Sequence, residues 1–242
     1  MTTETASRPE THAFEADVSK LLHMMVHSVY SDRDVFLREL ISNAADACEK
    51  LRYEAIATPS LLGDDPQPRI SLTLDADQGR LTIEDNGIGM TAADMGETLG
   101  TIARSGTKAF MDRLAADAGK ADSQLIGQFG VGFYSAFMVA REVEVFSRRA
   151  GADDAACWRS DGLGTYTIAP VDLDDAPQRG TRVVLHLLDD AKSYAERSTV
   201  ERIVKAQSGH VPVPITLFEK ADSEGALVAD GAALWLKPRS EI

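Results

Sequence analysis

The strongest constraint on the fold is a series of short segments in which apolar and polar residues alternate. In the first of these segments the apolar positions are Ile70, Leu72 and Leu74, and the alternation resumes at Leu81 and Ile83 after the polar turn DADQGR. Alternation with a period of two is typical of half-buried strands, so this stretch predicts a hairpin or two neighbouring antiparallel strands. Further strands are predicted at 143–145, 156–158, 166–168, 183–187 and 215–218.

Helical periodicity marks several other segments of the chain. Apolar residues recur on one face between 18 and 29, and the polar SDRD segment at 31–34 then ends that helix and starts a second one, which runs to about Ala57, before Pro59. Strict alternation of strand and helix is absent. The pattern therefore predicts an α+β fold, a two-layer sandwich of about eight mostly antiparallel strands with the helices on one face. The remaining helices are predicted to begin at Thr91, to span 133–140 and to lie near 200–207.

Composition excludes several classes of protein. With 242 residues, of which 44% are hydrophobic, the chain can bury a substantial core, and its longest apolar runs are too short for a membrane span. The formal charge of −13 disfavours nucleic acid and anionic lipid as partners, so any polyanion must be held locally. Cys48 and Cys157 have no metal-ligand spacing and are interpreted as isolated thiols of a reducing compartment, with a disulfide as the alternative.

A polar stripe follows one side of the second helix. Glu39, Asn43 and Asp46 stand at positions i, i+4 and i+7, with Lys50 beneath them. At about 100° per residue these side chains share one narrow sector of the helix. The helix alone leaves two interpretations open, because such a stripe either faces bulk solvent or lines a solvated cavity.

The segment IEDNGIGM, residues 83–90, places an acid where apolar side chains belong. Strand alternation puts Asp85 on the same side as Leu81 and Ile83, and a carboxylate buried there needs hydrogen-bond donors. A tight turn is the alternative explanation of Asp-Asn-Gly. The glycines at 87 and 89 also suit a flat ring that slides against the backbone, with Asp85 accepting a hydrogen bond from an amino group on that ring.

Two glycine-rich segments precede residue 134. GQFGVGF at 127–133 matches neither the dinucleotide fingerprint nor the Walker loop, and in GTIARSGTK at 100–108 the threonine precedes the lysine instead of following it. Glycines at a helix entry still allow backbone N–H groups to face a phosphate, although packing is an equally common reason for them. The RGT segment at 179–181 is a weak signal that usually indicates a turn.

Four segments in this order resemble the ATPase superfamily shared by gyrase, the ninety-kilodalton heat-shock chaperones, sensor histidine kinases and MutL proteins. FLRELISNAADA, DNGIGMT, LGTIARSGTKAF and IGQFGVGFYSAFMVA are most similar to the bacterial members of the chaperone branch, and the likeness runs from about Phe14 to the end of the chain. The resemblance implies the N-terminal ATPase domain of a longer protein. Its sheet would back the helices that form an adenine-nucleotide pocket.

The resemblance also implies roles for individual residues around the base. Asp85 would accept from the adenine amino group, with Thr181 helping through water. Gly89 and Met90 would line the base, and Asp46 would lie near the base and ribose.

At the phosphate end, Glu39 would orient and polarise the attacking water, and Asn43 would coordinate a Mg²⁺ that bridges the phosphates. Thr98, Leu99 and Arg104 are further expected contacts, although Thr98 stands where Asn is common and Arg104 where Lys is common. Backbone donors to the phosphates are expected from Gly130, Val131, Gly132 and Phe133.

The implied organisation is a flexible extension at 1–13, an ATPase domain at 14–230 with a lid at about 98–128, and the start of a linker at 231–242. The resemblance implies a cytoplasmic chaperone domain that binds ATP and ADP and hydrolyses ATP slowly while its lid closes. It would serve client proteins and possibly cochaperones, as a homodimer in the full-length parent and as a monomer in isolation. Neither a nucleic acid nor a membrane partner is expected. The competing hypotheses are a DNA-handling relative, a phosphotransfer kinase and a nucleotide sensor without chemistry.

Overall fold

A computed structural model of the chain describes residues 32–100 and 132–231. The predicted first helix at 18–29, the extension at 1–13, all but the first residue of the linker predicted at 231–242, and most of the predicted lid lie outside these residues. The helices are α1 (Val35–Ala57), α2 (Ala92–Thr98) and α3 (Arg197–Gln207), and 3₁₀ turns span Pro59–Leu62, Gly132–Met138, Leu173–Asp175 and Asp189–Ala195. The strands are β1 (Ile70–Asp75), β2 (Arg80–Asp85), β3 (Ala140–Arg148), β4 (Ala155–Ser160), β5 (Tyr166–Val171), β6 (Gly180–Leu187), β7 (Ile215–Phe218) and β8 (Ala226–Ala229).

The eight strands form one sheet in the order β5-β4-β3-β6-β2-β1-β7-β8. All neighbouring pairs are antiparallel except β1 and β7, which run parallel with Ile70 opposite Ile215. The predicted hairpin is β1 and β2, with Leu72 opposite Ile83. The expectation of a two-layer α+β fold with about eight mostly antiparallel strands is confirmed. Among the helices of the described residues, none is both long enough and apolar enough to span a membrane.

The core lies between the inner face of the sheet and the apolar side of α1. Phe36, Leu37 and Ile41 of α1 are fully buried, as are Leu72 and Leu81 of the hairpin. Burial alternates strictly along β1 and β2, because the opposite face of each strand carries the polar residues. Cys48 and Cys157 are both buried and free, in agreement with the prediction of isolated thiols.

The predicted buried helix at 133–140 is partly wrong. Every residue of Gly132–Met138 is buried, but this segment forms a 3₁₀ turn, and β3 begins at Ala140. A longer α-helix has no room because the strand starts two residues after the turn ends. Aromatic packing holds the turn in place, with the ring of Phe133 meeting Tyr134 and Trp158 edge to face at centroid distances of 5.6 and 5.4 Å.

The turn that follows β2 lies directly against the middle of α1. The backbone N–H of Ile88 donates to the carbonyl oxygen of Ala47 at 3.0 Å. Gly87 sits so close that an added Cβ would overlap the backbone of Ala47 and Cys48. Only a glycine allows this approach, which brings the end of β2 beside the polar stripe of α1.

Helix α2 begins immediately after this turn. The hydroxyl of Thr91 accepts from the backbone N–H of Asp94 at 3.1 Å, and the Asp94 carboxylate accepts from the N–H of Thr91 at 2.9 Å. This reciprocal capping box fixes the helix start and confirms the helix predicted to begin at Thr91. Its last residue and the next one, Thr98 and Leu99, therefore reach the same region as α1 and the end of β2.

Candidate functional site

A cavity of about 400 Å³ opens between α1, α2, the 3₁₀ turn at 132–138 and the inner face of the sheet. Every predicted site residue that lies within the described part of the chain lines this cavity. Arg104, Gly130 and Val131 lie outside that part. The predicted residues that line the cavity are Glu39, Asn43, Asp46, Asp85, Gly89, Met90, Thr98, Leu99, Gly132, Phe133 and Thr181.

The polar stripe of α1 faces this cavity. Glu39 is buried at one end of the stripe, whereas Asn43, Asp46 and Lys50 are exposed, and all four line the cavity wall. The helix therefore carries its polar residues along an opening that solvent enters. Of the two interpretations of the stripe, the structure therefore supports the one in which it lines a solvated cavity.

The carboxylate of Glu39 is held from two directions. The Arg38 guanidinium donates to Oε1 through Nη2 at 2.8 Å and through Nε at 3.2 Å. Gly132 lies against the other side, and a Cβ at that position would overlap Oε2. A glycine at 132 thus leaves the space that the second carboxylate oxygen occupies at the cavity wall.

Asp85 is the buried acid that strand alternation predicts. It is 6% exposed and points inward with Leu81 and Ile83. Burial raises the pKa of this carboxyl to about 7, although the backbone N–H groups of Gly87 and Thr181 donate to it and oppose the shift. The N–H of Gly87 is 2.8 Å from Oδ1. The cavity therefore contains a strong acceptor whose burial leaves it poorly hydrated.

Ser147 is a site residue that the sequence analysis missed. It is fully buried on β3, where its Oγ accepts from the backbone N–H of Met90 at 2.9 Å and donates to the carbonyl oxygen of Gly180 at 2.7 Å. The same Oγ is 2.9 Å from Oγ1 of Thr181. A signal existed, because the alternation that buries Val143 and Val145 also points residue 147 inward.

Arg179 holds the segment that follows Asp85. Its side chain is 11% exposed, and Nε donates to the carbonyl oxygen of Asn86 at 2.9 Å. The remaining nitrogens donate to the carbonyl oxygens of Leu62 at 2.5 Å and of Asp65. Gly180 next to it has φ of +92°, and a Cβ there would overlap the carbonyl oxygen of Asp85. The RGT segment, a weak signal in the sequence, thus holds the backbone around the buried Asp85 in place.

Two basic side chains that the sequence analysis did not assign as binding residues also line the cavity, Lys50 and Arg149. Arg149 follows β3 and pairs with Glu54 of α1, at 3.2 Å between Nη2 and Oε2. Its Nη1 is 3.7 Å from the Asp94 carboxylate at the start of α2. In a chain with a charge of −13, these are two cationic side chains at the cavity wall.

The described residues provide no cluster of metal-binding side chains inside the cavity, so a metal ion there would need further ligands. In the described ranges, the only group of three or more His, Cys, Asp or Glu residues able to converge on an ion is Glu142, Glu144 and His186. The two glutamates alternate with the inward residues of β3 and so lie on the opposite face of the sheet. Glu144 is already engaged by His186, at 2.7 Å, and by Arg159.

Comparison with known proteins identifies a family and several relatives of this chain. The family described as histidine kinase-, DNA gyrase B-, and HSP90-like ATPase matches residues 30–191. The chain is 68% identical over 242 residues to the chaperone protein HtpG of Azorhizobium caulinodans and 67% identical over 239 residues to that of Rhizobium meliloti. It is 48% identical over 243 aligned positions to HtpG of Alcanivorax borkumensis.

These alignments cover 98 to 100% of this chain but only 38 to 39% of each relative. The chain therefore spans less than half the length of the proteins it matches.

Proposed function

The chain belongs to the family of histidine kinase-, DNA gyrase B- and HSP90-like ATPases, and we propose that its cavity binds ATP and ADP and slowly hydrolyses ATP. The observation that carries the proposal is the convergence of Asp85, Glu39 and Asn43 on one cavity. Asp85 comes from the sheet and the other two from α1, so an extended ligand can meet an acceptor for its base and a polar stripe for its phosphates.

At the base end, the buried Asp85 carboxylate would accept from the adenine amino group, and Thr181 would assist through water. Gly89 has φ of +67°, and a Cβ there would overlap the backbone of Arg148. We propose that the backbone of Gly89, which lines the cavity, lies against the ring. Met90 would cover the ring with its apolar side chain. Asp46 would lie near the base and ribose.

At the phosphate end, Glu39 would orient the attacking water. Thr98, Leu99, Gly132 and Phe133 line the cavity, and we propose that the last two offer backbone donors to the phosphates.

The residues present fit a Mg²⁺ that is shared with the nucleotide. Asn43 lines the cavity one helical turn beyond Glu39 and offers an amide oxygen, which is a hard ligand of the kind that magnesium prefers. Magnesium is commonly held by one or two protein ligands together with phosphate oxygens, so no further protein cluster is needed. When bound, the ion would offset the negative charge of the phosphates. Asn43 would hold it, and Glu39 would position water beside it.

The whole protein is proposed to be a heat-shock chaperone of the cytoplasm that binds unfolded client proteins, in keeping with the name of its relatives. Within it, this chain would be the N-terminal nucleotide-binding domain, with an extension at 1–13, a lid at about 98–128 and a linker from 231. Cochaperones and a homodimeric parent belong to the same proposal, as does a monomeric state for the isolated domain. Hydrolysis is expected to be slow, since the family resemblance implies that an arginine of a middle domain contacts the γ-phosphate.

Calorimetric titration with ADP tests the base end of the proposal. Asp85→Asn is expected to lose binding, because the carboxylate that accepts from the amino group is replaced by an amide that also presents donors. Asp153→Asn removes an exposed acid outside the cavity and serves as the matched control, with unchanged affinity. Equal ADP affinity in the wild type and in Asp85→Asn would refute the assignment of Asp85.

Glu39→Gln tests the other end. It preserves the size of the side chain but removes its basicity, so ADP affinity should persist while phosphate release from ATP, followed over hours, falls by about 100-fold or more. Phosphate release at the wild-type rate would show that Glu39 does not act on water.

A further inference from the structure

We infer that Ser147 sets the base specificity of the cavity by making the hydroxyl of Thr181 an obligatory acceptor. Ser147 is a positioning residue in this scheme, since it acts on the ligand through Thr181 and through the backbone of Met90. The inference rests on the proposed function and adds a residue that helps to decide which purine base the site binds.

The three residues form one row across the sheet. Asp85 on β2 is directly opposite Thr181 on β6, and Thr181 is directly opposite Ser147 on β3. Their side chains share the inner face of the sheet, and facing residues in such pairs have Cβ atoms about 5 Å apart. Asp85 and Thr181 line the cavity, whereas Ser147 is fully buried behind them. The row therefore runs from the ligand side into the protein.

Counting protons assigns the direction of each hydrogen bond. A serine hydroxyl has one proton to donate and two lone pairs that accept. Ser147 donates to the carbonyl oxygen of Gly180 at 2.7 Å and accepts from the backbone N–H of Met90 at 2.9 Å. Its remaining lone pair faces Oγ1 of Thr181 at 2.9 Å. Because the serine proton is already committed, Thr181 must be the donor in that last contact.

The consequence for the ligand concerns Thr181. Once its only proton points at Ser147, Oγ1 offers nothing but lone pairs to the cavity. Asp85 beside it, when ionised, also offers only lone pairs. Two adjacent acceptors suit the amino group of adenine, which has two protons to donate, either directly or through one water. A purine with a carbonyl oxygen at the same position would place that acceptor against the acceptors of Asp85 and Thr181. No hydrogen bond could form between them, and buried polar groups would be left unpaired.

Ser147 also fixes the segment that covers the base. Its bond to the N–H of Met90 ties the end of the turn after β2 to β3. Gly180, whose carbonyl oxygen accepts the hydrogen bond from Ser147, lies against the carbonyl oxygen of Asp85. A single buried hydroxyl thus connects Met90 and Gly180, the backbone segments on either side of the acid, which explains why a serine follows Val143 and Val145 on the inward side of β3.

The test compares the affinities of ADP and inosine diphosphate, which carries a carbonyl oxygen in place of the amino group. In Ser147→Ala the Thr181 hydroxyl loses its acceptor and can turn its proton toward the ligand. We expect the ratio of the two affinities to fall by about tenfold or more relative to the wild type. Ser147→Thr, which restores the hydroxyl, should recover most of the ratio.

Ser208→Ala is the matched control, because Ser208 is also a buried serine, lies at the end of α3 outside the cavity, and its hydroxyl has no hydrogen-bond partner. This variant should keep the wild-type ratio. If Ser147→Ala does not fold, Ser147→Cys serves in its place, because a thiol is only a weak hydrogen-bond acceptor, and it should lower the ratio of affinities in the same direction.

The outcomes separate the two proposals. A wild type that binds neither nucleotide overturns the proposed function. A wild type that prefers ADP, together with a folded Ser147→Ala that keeps the same ratio of affinities, overturns the role of Ser147 and leaves the proposed function intact. If Ser147→Ala weakens both nucleotides equally, Ser147 only supports the fold, which also overturns the inference.

Discussion

At the residue scale, the site depends on a carboxyl group whose burial disfavours its charged form. Asp85 has its pKa raised to about 7 by burial, against an ordinary value of 3.8, even though two backbone N–H groups donate to it. When this acid is ionised, it accepts a hydrogen bond strongly because little water competes for it. The same burial makes the native protein bind a proton more tightly than the unfolded chain does.

This proton linkage predicts how stability depends on pH. The native pKa of Asp85 lies above the unfolded value, so the contribution is fully present below about pH 4 and is lost as pH rises to about 7. The loss is on the order of 4 kcal/mol in the free energy of unfolding. Urea unfolding at several values between pH 5 and pH 8 should show stability falling more steeply in the wild type than in Asp85→Asn.

The comparison with Asp85→Asn isolates this group. Acids with lowered pKa, such as Asp94, titrate below the range of the experiment and affect both proteins alike. Parallel stability curves for the two proteins between pH 5 and pH 8 would show that Asp85 ionises normally.

At the element scale, the cavity exists because the turn after β2 approaches α1 as closely as backbone atoms allow. Gly87 faces the backbone of Ala47 and Cys48 without a side chain between them. The bond from the N–H of Ile88 to the carbonyl oxygen of Ala47 follows from this contact. The acid at the end of β2 and the polar stripe of α1 are thereby held against each other across the cavity.

A single methyl group should disturb this contact. Gly87→Ala places a Cβ inside the van der Waals radius of backbone atoms that have no room to retreat, so we expect a loss of about 1–3 kcal/mol in the free energy of unfolding and weaker ADP binding. Gly96→Ala is the control, since a Cβ there would make only an ordinary contact of 3.7 Å with Ile168. Urea unfolding of both variants checks the expectation, and equal stabilities would contradict it.

At the scale of the whole molecule, the cavity joins parts of the chain that are distant in sequence. Its walls come from α1, β2, α2, the turn at 132–138, β3 and β6. A ligand that occupies the cavity binds only when all of these are assembled, because the unfolded chain has no such site. Nucleotide binding should therefore stabilise the entire domain.

Thermal unfolding measures this coupling. At an ADP concentration of 100 times the dissociation constant, binding adds about 2.7 kcal/mol to the free energy of unfolding, and the melting temperature rises accordingly. Asp85→Asn should show no such rise at the same ADP concentration. A similar rise in both proteins would show that ADP binds somewhere else.

The sequence alone determined the features that depend on neighbouring residues. Alternation predicted the β1–β2 hairpin and the inward direction of Asp85, and helical spacing put Glu39 and Asn43 on one sector of α1. These predictions are reliable because a period of two or of 3.6 residues is set by backbone geometry within a few residues. Resemblance to known ATPases added which of these side chains would act together.

Only the tertiary structure decided how distant segments meet. Ser147 gains its role from standing opposite Thr181, which in turn stands opposite Asp85, and no local pattern relates residues so far apart in the chain. The parallel pairing of β1 with β7 and the 3₁₀ turn at 132–138 were likewise decided by long-range packing. Strand register is a property of the assembled sheet, so the hydrogen bonds that direct the proton of Thr181 exist only once the sheet has formed.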